Sequence, residues 1–209
     1  MRVLDPIPTD RRPARLALLL PSLMLYGISV ALMLRADLGQ MPWGVLDQGL
    51  ATVLGTEVGT ASIVVGAAVL LLWVPLRCRP GLGTLCNVVL VGLSINATLA
   101  LLPAPEALGA RLPLLLVGVL LNAVATGAYI GAGLGAGPRD GLTTGIAARG
   151  HSVRVVRTTI ELLVLGAGWL LGGTVGVGTV LYALTIGPLV HRTLPAFQLR
   201  ARAGSVRAR

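Results

Sequence analysis

The sequence predicts an all-α polytopic membrane protein with six transmembrane helices, two short re-entrant or interfacial helices and two inverted structural repeats. Three observations predict it. The chain of 209 residues is 55% hydrophobic and only 12% charged, with a mean hydropathy of +0.84, well above the range of soluble domains. Six apolar stretches come close to the roughly 17–25 residues that a helix needs to cross a bilayer. The sequence also matches itself at an offset of 96 positions.

Residues 1–15 form a basic N-terminus carrying Arg2, Arg11, Arg12 and Arg15. The apolar run Leu16 to Leu34 follows. It is too long for a signal peptide and no small-residue cleavage site succeeds it, so it is expected to stay as the first span. A turn through Gly39 and Pro42 then leads into Val45 to Leu54, which is too short to cross. The second and third spans are Thr60 to Leu76 and Leu82 to Leu102, which close a first repeat over residues 16–104. Cys78 and Cys86 lie near the boundary between them with no other metal-ligand residues close by, and are expected to be free thiols.

The second repeat, residues 105–195, opens with the span Leu112 to Leu134. The turn Gly135-Ala136-Gly137-Pro138 leads into a second short segment, Leu142 to Ala148. The alternating glycines from Gly131 to Gly137 resemble a dinucleotide loop only superficially, since no soluble strand–turn–helix unit surrounds them. Their expected use is close helix approach followed by a turn. Val155 to Leu171 and Val175 to Leu194 complete the six spans, and residues 196–209 form a basic tail.

Interior Pro and Gly, such as Pro21 and Gly92, do not break these spans, because neighbouring helices satisfy the backbone groups they free. All 17 cationic residues are Arg. With the N-terminus inside, fifteen fall in cytoplasmic segments and only Arg35 and Arg111 fall outside. That asymmetry places the chain in the bacterial plasma membrane, multi-pass, with both termini cytoplasmic, provided the short segments do not cross.

The self-match pairs Ala36, Leu38, Gly39, Pro42, Leu46 and Gly49 with Ala132, Leu134, Gly135, Pro138, Leu142 and Gly145. Trp73 pairs with Trp169. After a one-residue slip Gly81, Gly83 and Thr84 pair with Gly176, Gly178 and Thr179. Three crossings per half is an odd number, so the second half enters from the opposite face, the plan of many secondary transporters. Short interrupted segments at equivalent places in two halves mark the expected binding site. As half-helices they would point unpaired N–H groups and a partial positive charge at it. As interfacial helices they would lie at the membrane surface.

These residues and motifs resemble the YczE/YyaS/YitT-like group of bacterial integral membrane proteins, most closely the YczE type. The resemblance covers roughly Leu16 to Leu194. It rests on Ala36-Asp37-Leu38-Gly39 with Pro42-Trp43, on Gly81-Leu82-Gly83-Thr84, on Leu134 through Leu142, on Arg157 with Glu161, and on Gly172 through Thr179. The resemblance implies a membrane protein and brings no reaction with it. In that group an acid often follows the Pro-Trp pair, where this chain has Gly44; Asp47 lies one helical turn further on.

Glu161 falls inside the fifth span, where an ionisable group is expensive unless paired or wet. Arg157, four positions earlier on the same helix face, is its expected partner. Arg139 and Asp140 follow the second turn. Asp140 is expected to cap the second short segment while Arg139 faces the aqueous entrance. Pro42 and Trp43 stand at the entrance to the first short segment. Asp47 is a candidate on the same ground, although a solvated loop is the plainer expectation for Asp37 and Asp47. The candidate substrate-binding residues are therefore Arg139, Asp140, Arg157, Glu161, Pro42, Trp43 and Asp47.

His151 is expected to be solvated, and Asn96-Ala97-Thr98 matches a glycosylation triplet only by chance within an apolar span. No nucleophile, base and orienter set and no metal-ligand spacing is visible, so the chain is expected not to be an enzyme and to need no cofactor or metal. Aromatic residues make up only 3%, which argues against a nucleic-acid partner despite the net charge of +9. The expected partners are the bilayer, with anionic lipids at the tail Arg200 to Arg209, and a small-molecule substrate. The plan also admits a homo-oligomer. The favoured function is a small-solute secondary transporter or permease. The alternative is a membrane accessory that binds a protein or lipid partner and moves nothing.

Overall fold

The computed structural model describes residues 11–199, so most of the basic N-terminus and most of the basic tail lie outside the described residues. Among the described residues the chain forms eight helices and no strand: α1 (Arg12–Ala36), α2 (Pro42–Leu54), α3 (Val58–Leu76), α4 (Leu82–Leu101), α5 (Leu108–Gly131), α6 (Pro138–Ala147), α7 (Val153–Leu170) and α8 (Val177–Phe197). Helices α1, α3, α4 and α5 are long and apolar enough to cross a membrane. In α7, Arg154, Arg157 and Glu161 dilute the apolar character of 18 residues, and in α8 His191 and Arg192 do the same.

The outward surface is apolar. Leu101 is 85% exposed and Leu170 84%, and Leu71, Val74, Leu163 and Leu184 also point outward. A soluble monomer rarely exposes so continuous an apolar surface, whereas hydrocarbon solvates it at no cost. The interior is correspondingly mixed: Ser29, Asn122, Thr84 and Thr179 are buried beside Leu19, Leu23, Met33 and Ile95. Small and hydrogen-bonding residues are what lipid-embedded helices use to pack, since apolar side chains gain little by leaving lipid.

The helices form two layers. In the first, α1 and α5 pack centrally, with α4 against α1 and α8 against α5. In the second, α2 and α6 each pack between α3 and α7. The layers are joined at one edge, where α3 packs on α4; α7 and α8 share no comparable interface at the other edge. The two short helices thus pack on both α3 and α7, while Val53 and Leu54 at the end of α2 are exposed.

Matching contacts join the two turns that lead out of the first layer to the starts of α8 and α4. The turn after α1 accepts a hydrogen bond at Leu38 O from Gly178 N at the start of α8 (2.7 Å), and the turn after α5 accepts one at Leu134 O from Gly83 N at the start of α4 (2.8 Å). Gly39 (φ +109°) and Gly135 (φ +121°) hold left-handed backbone in these turns, where a Cβ would lie 2.8 Å from the Oγ1 of Thr179 and Thr84 respectively. Only glycine adopts such backbone without strain. Between α2 and α7, a Cβ on Gly49 would sit 2.5 Å from the Gly168 carbonyl oxygen, so the helices touch backbone to backbone.

Several expectations need correction. Both short helices begin earlier than predicted, at Pro42 and Pro138, because Pro at the first helical position is pre-organised for a helix start. Asp140 does not cap α6: Gly137 is the cap residue, no side chain bonds there, and Asp140 lies two positions further in than Pro138. Asp47 is not solvated but 2% exposed on the inner face of α2. Asp37 does sit at the surface, 61% exposed and paired with Arg111 at 2.6 Å. The match of Trp73 to Trp169 does not extend to their surroundings. Trp73 is buried and its Nε1 donates to Pro138 O at 3.0 Å, whereas Trp169 is 65% exposed. Cys78 and Cys86 are free thiols.

Candidate functional site

The first turns of α2 and α6 meet in the interior. Their cap residues take nearly the same backbone, Met41 at φ −58°, ψ 152° and Gly137 at φ −59°, ψ 155°, and each is followed by Pro. Trp43 and Arg139 occupy equivalent places one residue on, and they touch: the Arg139 guanidinium lies 4.9 Å from the centre of the Trp43 ring. A cation over an indole face is attracted by the ring quadrupole, worth about 0.5–2 kcal/mol with increasing desolvation.

Arg139 does not face an aqueous entrance as predicted. It turns inward and donates to Asp47 Oδ2 at 2.7 Å and to Ser62 Oγ at 3.2 Å, which ties α6 to both α2 and α3. Asp47 Oδ1 is buried without a hydrogen-bond partner. A buried pair of this kind offsets two desolvation costs that neither charge could bear alone.

Next to this pair lies a cavity of about 90 Å³. Pro42, Trp43, Arg139, Asp140, Arg157 and Glu161 all line it, so six of the seven residues singled out from the sequence come to one place, and Asp47 joins them through Arg139. Arg157 Nε donates to Glu161 Oε1 at 3.0 Å across one turn of α7. Tyr129 Oη donates to Asp140 Oδ2 at 2.5 Å.

Sequence reasoning missed the aromatic wall. All three tyrosines of the chain, Tyr26, Tyr129 and Tyr182, line the cavity. Tyr26 and Tyr129 pack edge to face at 6.2 Å between ring centres. Tyr182 Oη donates to Asn122 Oδ1 at 3.0 Å, and Asn122 Nδ2 donates to Ser29 Oγ at 2.9 Å, which fixes Tyr182 to the α1–α5 pair. The available signal was compositional, since tyrosines so scarce and so deep within apolar runs need a polar partner for each hydroxyl. Among the described residues no three His, Cys, Asp or Glu side chains are grouped to hold a metal ion.

An all-helical protein with a lipid-compatible exterior and a small, charged, aromatic-lined cavity is a helical membrane protein. Residues 13–194 match a family described as a family of unknown function, DUF6198, and the chain belongs to that family. It is 44% identical over 177 residues to an uncharacterized protein of Haemophilus influenzae, covering 84% of this chain and 81% of that one. It is 35% identical over 175 residues to the uncharacterized membrane protein YczE of Bacillus subtilis, covering 83% and 81%. With the uncharacterized protein YyaS of the same organism it shares 26% identity over 180 residues, covering 83% and 89%. These relatives accord with the resemblance to the YczE-like group. No solved structure matches the chain.

Proposed function

We propose that this protein is a small-solute secondary transporter or permease of the bacterial plasma membrane, and that the cavity between α2 and α6 is its substrate site. The observation that carries this reading is the convergence of the two short helices. Their first turns meet at one cavity, each bringing a residue from an equivalent place in its half, Trp43 and Arg139. Broken or short helices meeting at a central site are the recurrent plan of secondary transporters.

In this reading α1, α3, α4, α5, α7 and α8 cross the bilayer, and α2 and α6 enter from opposite faces and return. Both termini are cytoplasmic, in line with the placement of the Arg residues. The matched bonds Gly178 to Leu38 and Gly83 to Leu134 support two halves of opposite orientation, because each half supplies the turn that receives the other half's last helix. Rocking one layer against the other would expose the cavity alternately to the two faces. Arg139, Asp140, Arg157 and Glu161 then contact the solute, Pro42 and Trp43 shape its seat, and Asp47 positions Arg139.

Reconstitution into proteoliposomes loaded with a pool of small polar metabolites tests this. The expected outcome is time-dependent exchange that is lost in Asp140→Asn and in Glu161→Gln while both variants stay folded. No exchange of any solute, together with a partner that co-purifies in fixed ratio, would favour a non-transporting accessory instead.

A further inference from the structure

We infer that the cavity binds a small organic monocation of the ammonium or guanidinium class, with Asp140 as its counter-ion. This rests on the cavity being the substrate site, and it adds the chemical class of what that site accepts.

The charges on and behind the wall do not balance. Asp47 is committed to Arg139 at 2.7 Å and Glu161 to Arg157 at 3.0 Å. Asp140 has no ion-pair partner among the described residues; its carboxylate receives only the Tyr129 hydroxyl. Three acids against two guanidinium groups leave one negative charge. The N-terminus of α6 brings only about half a positive charge near that carboxylate, short of a full counter-charge. At the equivalent first-turn place in α2 stands Gly44, so no second carboxylate competes. Asp140 sits partly buried on the cavity wall without a full counter-charge, and a bound monocation would supply one.

The walls fit the same class. Tyr26, Tyr129, Tyr182 and Trp43 supply aromatic surface, the recurring means of binding alkylammonium ions without hydrogen bonds. Trp43 already carries one guanidinium on its face. At about 10–15 Å³ for each water-sized group, a cavity of about 90 Å³ holds roughly half a dozen such groups. That admits tetramethylammonium or methylguanidinium.

The test is saturable binding of radiolabelled tetramethylammonium to the intact detergent-purified protein. Wild type is expected to bind it, methylguanidinium to compete and sodium acetate not to. Asp140→Asn should weaken binding at least about tenfold, while Asp37→Asn, at a surface pair away from the cavity, should leave it unchanged. Absence of saturable binding to folded wild type, competition by acetate, or full binding by Asp140→Asn would each overturn the inference. The first two do not depend on any variant folding. Binding without flux in proteoliposomes would uphold this ligand class and sink the transport reading; flux of a neutral or anionic solute without tetramethylammonium binding would do the reverse.

Discussion

Replacing Asp47 by Ala strands the Arg139 guanidinium in the interior. The pair is close at 2.7 Å, and the Asp47 side chain is 2% exposed while that of Arg139 is 21% exposed. Breaking a buried pair by removing one partner costs about 3–5 kcal/mol. The partial access of Arg139 to the cavity places the cost at the lower end, about 3 kcal/mol. For a chain of 150–250 residues each kcal/mol moves Tm by about 2–4 °C, so a fall of about 6–12 °C is expected. Arg139→Met should cost a similar amount by stranding Asp47. The double variant Asp47→Ala/Arg139→Met removes both charges and should lie within about 1 kcal/mol of wild type. Thermal unfolding of the detergent-purified variants by circular dichroism completes the cycle. Single-variant losses that simply add in the double variant would refute the pair as a coupled unit. So would a loss in Asp47→Ala no larger than that in Asp37→Asn, whose exposed pair is worth about 0–1 kcal/mol.

Gly135→Ala forces a side chain into backbone at φ +121°, with its Cβ 2.8 Å from Thr84 Oγ1. It should cost more in thermal unfolding than Gly150→Ala, where φ is +101° but the space is open; strain alone accounts for about 1–3 kcal/mol at either site. Trp73→Phe leaves the Pro138 carbonyl without its indole donor and should lose about 1–3 kcal/mol by the same assay. Tyr182→Phe deletes the donor to Asn122. Because hydrogen bonds between membrane helices average about 0.6 kcal/mol and reach about 1.7, a loss above that range in an SDS unfolding titration would mean that Tyr182 does more than bond Asn122.

The long helices were legible because an apolar run of spanning length admits few other structures. Their ends were less so. Pro42 and Pro138 read as turn residues, yet each sits at the first helical position, which moves Trp43, Arg139 and Asp140 from loops into first turns. The pairing of Arg157 with Glu161 was visible because both lie on one helix four residues apart. The pairing of Arg139 with Asp47 was not, since it spans two helices and 92 positions. The self-match of the sequence held a clue to it: Trp43 and Arg139 stand at matching positions 96 residues apart, and the two side chains touch. Asp47, one turn beyond Trp43, is then within reach of Arg139. Nothing in hydropathy marks an acid among apolar residues as buried rather than solvated, and the difference here comes from its tertiary partner.

In the proposed transporter the two halves lie upside down to one another, and the first turns of α2 and α6 reach one cavity from opposite faces. Single cysteines at Asp37 and at Ala136, exposed positions in the two equivalent turns, test it in a background with Cys78 and Cys86 replaced by Ser. A membrane-impermeant maleimide applied to intact cells should label the cysteine at position 37 at once and the one at position 136 only after permeabilisation. Labelling of both from the same side would contradict an inverted arrangement of the two halves.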